Sequence, residues 1–88
     1  MDKIEELRLS MFGKRVRALR QMIGISIEEL SFRCGLHRNY ISDVERGTRN
    51  VSLKAIEKLA LGLKVPVYYL FRLSRHAERV LVVAISCR

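Results

Sequence analysis

The chain has 88 residues, 49% of them hydrophobic, which is enough for one domain with a modest core and too little for two domains. Seventeen Lys and Arg against nine Asp and Glu give a formal net charge of +8, which indicates a polyanionic partner, although excess charge also serves solubility. The charge is uneven, because residues 10–25 carry four bases and no acid: Lys14, Arg15, Arg17 and Arg20.

Signals for export or membrane insertion are missing from the sequence. Two cysteines cannot build a disulfide framework, and the longest apolar run, residues 80–85, is far too short to span a bilayer. The first residues are charged and do not form an apolar signal segment. We therefore expect the reducing cytoplasm as the compartment and no membrane partner.

Sparse glycine and proline, without sustained strand alternation, predict an all-α fold with five helices. Residues 1–10 are predicted to be an N-terminal lead-in that is helical over residues 2–9. Helix one is predicted to start at Met11, to end at Met22 and to be stopped by Gly24. Its apolar side is expected to contain Phe12, Val16, Leu19 and Ile23.

Two short helices joined by a tight turn are predicted in residues 26–47. Ser26 is a good N-cap, and Glu29 three residues later completes a capping box. Gly35 can adopt the left-handed conformation that a helix C-terminus needs, so helix two is predicted over 27–34 and helix three over 38–46. Helix, glycine turn and helix in this span are typical of a DNA-binding helix-turn-helix, which makes DNA binding the leading hypothesis.

The rest of the chain is predicted to complete the domain. Helix four is expected over 53–62, with Ser52 as its cap, Gly62 as its end, and Leu53, Ile56, Leu59 and Ala60 buried. Pro66 suits the first turn of a fifth helix that carries Val67, Leu70 and Phe71. Residues 74–88 either prolong that helix or form a strand, which the Val- and Ile-rich run favours. The predicted domains are the lead-in 1–10, the helix-turn-helix domain 11–73, and an extension 74–88 that dimerises or covers the core.

Helical geometry places one polar face on helix three. At about 100° per residue, Arg38, Asn39, Ser42, Asp43 and Arg46 share that face, whereas His37, Ile41 and Val44 are expected to face the core. The alternative is an ordinary solvated helix face. In a major groove, Arg38 could donate two bonds to guanine and Asn39 could pair with adenine. Asp43 could accept from cytosine or orient Asn39. The predicted base-reading residues are Arg38, Asn39, Ser42 and Asp43.

Five segments within residues 12–71 resemble the phage repressor and Cro family of helix-turn-helix regulators, also called the XRE type. They are FGKRVRALR, GISIEEL, CGLHRNYISDVERGTRN, SLKAIEKLA and VPVYYLF. The resemblance implies a compact five-helix, repressor-like domain that binds operators, usually as a dimer, with base contacts at the positions of Arg38, Asn39 and Asp43. It extends to restriction–modification controller proteins and antitoxins without choosing between them.

Phosphate contacts are predicted on both sides of helix three. After the helix, the polar loop offers Arg46, Thr48, Arg49 and Asn50, and the resemblance implies the same use, although an ordinary polar loop is the alternative. Before it, the N-terminus of helix two at Ser26 and Ile27 can meet a phosphate through backbone N–H groups. The family often has Gln where this chain has Ile27, so only a backbone contact is carried over. The Ile27 side chain is expected to be exposed at the start of helix two, so Ile27→Gln is expected to tighten DNA binding slightly without altering the fold. Tyr40, on the flank of helix three, completes the set.

Two charged residues are expected to have a structural role. The resemblance pairs the positions of Arg20 and Glu45 as an ion pair that links helix one to helix three.

A homodimer is expected, because one recognition helix reads only a few base pairs and two half-sites lie about 34 Å apart on DNA. The C-terminal third supplies the apolar residues for such an interface, unless the tail covers its own core. The predicted interface residues are Leu63, Val65, Tyr68, Tyr69, Phe71, Leu73, Val80 and Val82.

Catalysis has little support in the sequence. Neither His37 nor His76 has a nucleophile or carboxylate partner in a motif, and no glycine-rich phosphate loop or metal-ligand array is present. We expect no enzymatic activity, cofactor, metal or small-molecule substrate, and double-stranded DNA as the partner. The alternative function is an antitoxin-type module whose main partner is a protein, with operator binding secondary.

Overall fold

A computed structural model describes residues 2–71 of the chain. Four α-helices, α1 (Lys3–Met22), α2 (Ile27–Cys34), α3 (Arg38–Arg46) and α4 (Leu53–Leu63), are followed by a 3₁₀ helix, Val67–Phe71. Residues 2–71 contain no strand. The all-α prediction is confirmed, and the fifth helix is a short 3₁₀ segment.

The start of helix one was predicted wrongly. A single helix begins at Lys3, so residues 3–10 are the first turns of α1 and not a separate lead-in. Asp2 caps it, because its Oδ1 accepts the Glu5 N–H at 2.8 Å. The other division, at residue 74, lies outside the described residues, so the domain boundaries stay a prediction.

Local capping fixes the ends of α2 and α3 as predicted. The Ser26 Oγ accepts the Glu29 N–H at 3.0 Å, which satisfies one of the free donors at the start of α2. Gly35 and Gly47 end α2 and α3 with φ angles of 75° and 74°, a conformation that residues with a Cβ rarely adopt. Two consecutive capped helices therefore form the predicted helix-turn-helix.

Gly62 does not end α4, contrary to the prediction. The helix continues to Leu63 and is capped by Lys64, whose φ is 60°. Gly62 is buried inside the helix, and a Cβ there would lie 2.9 Å from the Cys34 Cβ. The glycine therefore allows α4 to pack closely against α2.

All five helices contribute to one core. Its largest fully buried side chains are Leu30, Ile41, Leu59, Leu63, Leu70, Val16 and Val44. Leu63 is only 2% exposed, so its assignment to a dimer interface is wrong, because the core of its own domain already buries it. Ile23 and Leu53 were expected to be buried but are exposed, since they lie at the cap of α1 and at the first position of α4.

The backbones of α1 and α3 approach each other at Gly13. A Cβ at this buried position would lie 2.7 Å from the Glu45 carbonyl oxygen and still closer to that of Val44. Only a residue without a side chain fits there, so Gly13 determines how closely α3 lies against α1. Within residues 2–71, none of the helices combines the length and apolar character needed to cross a membrane.

Candidate nucleic-acid interface

The polar face predicted on α3 is present in the structure. Ile41 and Val44 are 0% and 1% exposed and anchor one side of α3 in the core. The opposite side presents five polar side chains that are exposed or half-buried: Arg38, Asn39, Ser42, Asp43 and Arg46. The structure therefore brings all four predicted base-reading residues onto one outward face.

His37 does not face the core, contrary to the prediction. It is exposed and caps α3, because its Nδ1 accepts the Asn39 backbone N–H at 3.0 Å. Only the backbone of Asn39 takes part in this cap, so its side chain is not used to cap the helix.

A groove of about 310 Å³ separates the start of α2 from the start of α3. The groove is lined by three base-reading candidates, Arg38, Asn39 and Ser42, and by two phosphate candidates, Ser26 and Ile27. Arg20 and Glu28 complete its lining. The Ser26 cap accepts the N–H groups of Glu29 and Leu30, which leaves the first two N–H groups of α2 for an anion. The helix terminus and the recognition face thus open into the same groove.

The side chain of Ile27 was predicted to be exposed, and the structure contradicts this. It is half-buried and packs against the hydrophobic core. An isoleucine at the first position of α2 therefore contributes apolar contact to the domain.

Glu28 is a residue of this surface that the sequence analysis missed. Its Oε2 lies 3.3 Å from the Arg38 Nη1, and both side chains are more than half exposed. Nothing in the sequence spacing reports a contact between two different helices, so only the docking of α2 on α3 reveals this pair.

Three charged residues cluster at the C-terminal end of α3. The Asp43 carboxylate accepts a hydrogen bond from Arg46, and its other oxygen accepts one from Arg49 at 3.3 Å. The hydrogen bond from Arg46 is the main reason why the pKa of Asp43 lies below its ordinary value; desolvation opposes it, and the weaker effect of the hydrogen bond from Arg49 adds to the lowering. Base reading by Asp43 stays a prediction, since in this structure its oxygens hold two phosphate-binding candidates.

The remaining phosphate candidates surround that cluster. The Arg49 guanidinium lies 4.8 Å from the centre of the Tyr40 ring, which is a cation–π contact. The Thr48 hydroxyl donates to the Asp43 carbonyl at 3.2 Å, so it also closes the end of α3. Asn50 is exposed beyond it.

Arg20 and Glu45 form the predicted ion pair between α1 and α3. The Arg20 Nε and Nη2 donate to the two Glu45 carboxylate oxygens at 2.7 and 3.0 Å, and Nη1 donates to the Ile25 carbonyl at 2.9 Å. The side chains are 12% and 6% exposed. The hydrogen bonding that Arg20 donates to Glu45, more than any other contact, raises the pKa of Arg20. Both residues therefore have a structural role.

Arg15, one of the four bases in residues 10–25, also serves packing. Its Nε donates to the Tyr69 carbonyl at 3.1 Å, and its guanidinium lies 4.5 Å from the centre of the Tyr69 ring. Lys14 and Arg17 are exposed. Half of this basic segment therefore holds the fold together and does not form a free basic surface.

The predicted dimer residues fall into four groups. Tyr68 and Phe71 are 72% and 53% exposed, whereas Val65 and Tyr69 are half-buried against the core. An apolar groove of about 530 Å³ beside Val65 is also lined by Leu61 and Val67, which the sequence analysis did not select. Of the remaining predicted residues, Leu63 belongs to the core, and Leu73, Val80 and Val82 lie outside the described residues.

Two capped helices, an anchored recognition helix and an outward polar face define a DNA-binding helix-turn-helix domain. Comparison with known proteins agrees with this class. The helix-turn-helix family model matches residues 16–70, and the chain belongs to that family, in its XRE-type branch of transcriptional regulators, which are not enzymes.

Its relatives include proteins of restriction–modification systems. Control protein C.BamHI of Bacillus amyloliquefaciens is 55% identical over 56 residues, which cover 62% of this chain and 69% of that protein. The crystal structure of the controller protein C.AhdI from Aeromonas hydrophila is 51% identical, covers 72% of this chain and 96% of that one, and superposes with a TM-score of 0.71. The controller protein C.Esp1396I, solved as a tetramer in complex with its natural 35 base-pair operator, is 26% identical, with coverages of 93% and 99% and a TM-score of 0.70.

Proposed function

We propose that this chain is a sequence-specific transcriptional regulator of the restriction–modification controller type. It binds a roughly palindromic operator in double-stranded DNA, with α3 in the major groove. The observation that carries the proposal is the exposed face of α3, on which Arg38, Asn39 and Ser42 stand together while Ile41 and Val44 fix the helix to the core. The operator complex of its relative C.Esp1396I supports it.

The geometry supports different roles for the two ends of this face. Arg38 and Asn39 lie at the N-terminal end of α3, where side chains of a recognition helix reach base edges. Arg46 and Arg49 lie at its other end, where guanidinium groups suit phosphate oxygens. The first N–H groups of α2 provide a second phosphate contact across the groove.

A homodimer fits this function, because two half-sites of an operator need two recognition helices. We propose that its interface uses the exposed side chains of Tyr68 and Phe71 and the apolar groove that Leu61, Val65 and Val67 line. Large exposed apolar surface of this kind marks interaction sites in other proteins. The compartment is the cytoplasm, in agreement with the free buried thiol of Cys34.

Selection of bound sites from a random duplex pool tests the function directly. The expected result is enrichment of one sequence with two related half-sites about one helical turn apart. A chain that enriches no sequence, or that instead captures a partner protein one to one without binding DNA, contradicts the proposal.

Arg38→Ala and Arg49→Ala then test the assignment of roles on the selected site and on a scrambled one. Loss of a bidentate base contact is expected to cost about 1–3 kcal/mol on the selected site alone and to relax preference at one base pair. Loss of a phosphate contact is expected to weaken both duplexes alike and to make the log–log salt slope shallower by about one unit per half-site. Equal losses for both variants on both duplexes would reject the assignment.

A further inference from the structure

Glu28 and Arg38 face each other across the groove between α2 and α3, on the surface that we assign to DNA. The pair joins the Glu28 Oε2 to the Arg38 Nη1 at 3.3 Å, and the two side chains are 61% and 62% exposed. A carboxylate on a DNA-binding surface weakens binding to every duplex, because it repels phosphates. We therefore looked to the neighbouring Arg38 for a benefit of Glu28 that offsets this loss of affinity.

We infer that Glu28 is a positioning residue, which holds the Arg38 guanidinium toward a guanine and thereby raises sequence specificity at the expense of overall affinity. The inference rests on the proposed function. Ile27, the first residue of α2, is apolar and half-buried against the core, so its side chain offers Arg38 no polar partner. The contact comes from Glu28, the next residue along α2.

The donor geometry of arginine allows Glu28 and a guanine to bind Arg38 at the same time. A guanidinium has five N–H donors in a fixed plane, and the Glu28 contact uses Nη1. The edge formed by Nε and Nη2 stays available for the two guanine acceptors, O6 and N7. Arg20 uses this same Nε–Nη2 edge to bind Glu45 in this structure, while its Nη1 donates to a carbonyl.

Specificity follows from what Arg38 would do without this carboxylate. A long, exposed arginine at the start of a recognition helix can also turn to a phosphate, which would strengthen binding to all sequences alike. Glu28 gives the guanidinium a carboxylate partner in place of a phosphate and disfavours a phosphate contact of the Arg38 side chain itself. Wrong duplexes are therefore penalised more than the correct one.

Glu28→Gln tests the inference, with Glu29→Gln as its matched control. Both substitutions remove one negative charge from the first turn of α2, but Glu29 pairs with Arg33 on its own helix, at 3.3 Å. The measurement is the relative affinity for the four base pairs at the operator position whose preference Arg38→Ala abolishes. Melting temperatures, expected to be close to wild type for both variants, report on folding.

Glu28→Gln is expected to lower the preference at that single position by about two- to fivefold, the range of an exposed ion pair, while binding to scrambled DNA becomes tighter. Glu29→Gln is expected to leave the preference unchanged. In an Arg38→Ala background, Glu28→Gln should no longer alter the preference at that position. Equal preferences for the two single variants would overturn the inference, whereas a wild-type chain that selects no duplex at all would overturn the proposed function instead.

Discussion

Within residues 2–71, two ion pairs connect α3 to the helices α1 and α2, and these pairs differ mainly in their access to water. Arg20–Glu45 joins α1 to α3 through two hydrogen bonds, with side chains 12% and 6% exposed. Arg38–Glu28 joins α2 to α3 through one longer contact between side chains that are 62% and 61% exposed. Removing one partner of a buried pair leaves an uncompensated charge, whereas an exposed pair can open at little cost.

In α3, which has nine residues, the side chains that stabilise the domain point inward and those proposed to contact DNA point outward. Glu45, Ile41 and Val44 face the domain and hold α3 in place. Arg38 and Arg46, on the outer face, have partners on the surface that they can exchange for DNA. The exposed arginines can therefore be selected for operator sequence without loss of the fold.

The largest effect is expected for Glu45→Ala. Arg20 would remain largely buried and would keep a hydrogen bond only to the Ile25 carbonyl, so the free energy of unfolding should fall by about 3 kcal/mol. For a domain of this size that lowers the melting temperature by about 10–25 °C. Thermal unfolding measures it, with Glu29→Ala as a control that removes an exposed carboxylate and should change little. Unchanged melting together with altered DNA affinity would place Glu45 at the DNA surface.

Gly13→Ala tests the other contact that fixes α3 to α1. The new methyl group would collide with the backbone carbonyls of Val44 and Glu45, which cannot rotate away as a side chain can. A destabilisation of about 1–3 kcal/mol is expected in urea unfolding. Lys14→Ala, at the exposed neighbouring position, is the control and should stay within about 0.5 kcal/mol. An alanine that stabilises the protein, as it does at exposed helical glycines, would show that the helices are not in close contact.

The features that could be predicted from the sequence are those that depend on local interactions. Ser26 and Gly35 act within a few residues of themselves, so the bounds of α2 and the turn after it were predictable. The polar face of α3 follows from helical periodicity alone. Family resemblance added the Arg20–Glu45 pair, which no local pattern indicates.

The features that were missed depend on how the helices dock. Gly62 was interpreted as a helix end, but it is the place where α4 packs against α2. Leu63 and Leu53 are equally apolar in the sequence, yet one is 2% and the other 70% exposed. The Glu28–Arg38 contact likewise exists only because α2 and α3 cross at that point.

Ile27→Gln now carries the opposite expectation from the one that the sequence supports. If position 27 were exposed, the substitution would tighten DNA binding slightly and leave the fold unchanged. Because the side chain is half-buried, we expect a loss of about 1 kcal/mol of stability, which is part of the free-energy cost of exposing a fully buried isoleucine. Urea unfolding separates the two. Phe32→Gln, on the same helix but 87% exposed, is the control and should be near neutral. Equal stability of the two variants would show that the Ile27 side chain is exposed in solution.

The smallest expected effect concerns Asp43, whose pairs with Arg46 and Arg49 lie on the outer face of α3. The native pKa of Asp43 lies below its ordinary value of 3.8, so its charge contributes stability above pH 3.8, and that contribution is lost as the pH falls through the native pKa. Carboxyl NMR titration measures it.

Arg46→Gln should raise the pKa of Asp43 further than Arg49→Gln, because the hydrogen bond from Arg46 has the larger effect. Arg33→Gln, which removes an arginine paired to Glu29 on α2, is the control and should leave the pKa of Asp43 in place. An ordinary pKa in the wild-type protein would mean that these surface pairs do not hold in water. Arg46 and Arg49 would then bind DNA without first leaving the Asp43 carboxylate, and the contrast with the buried Arg20–Glu45 pair would be larger still.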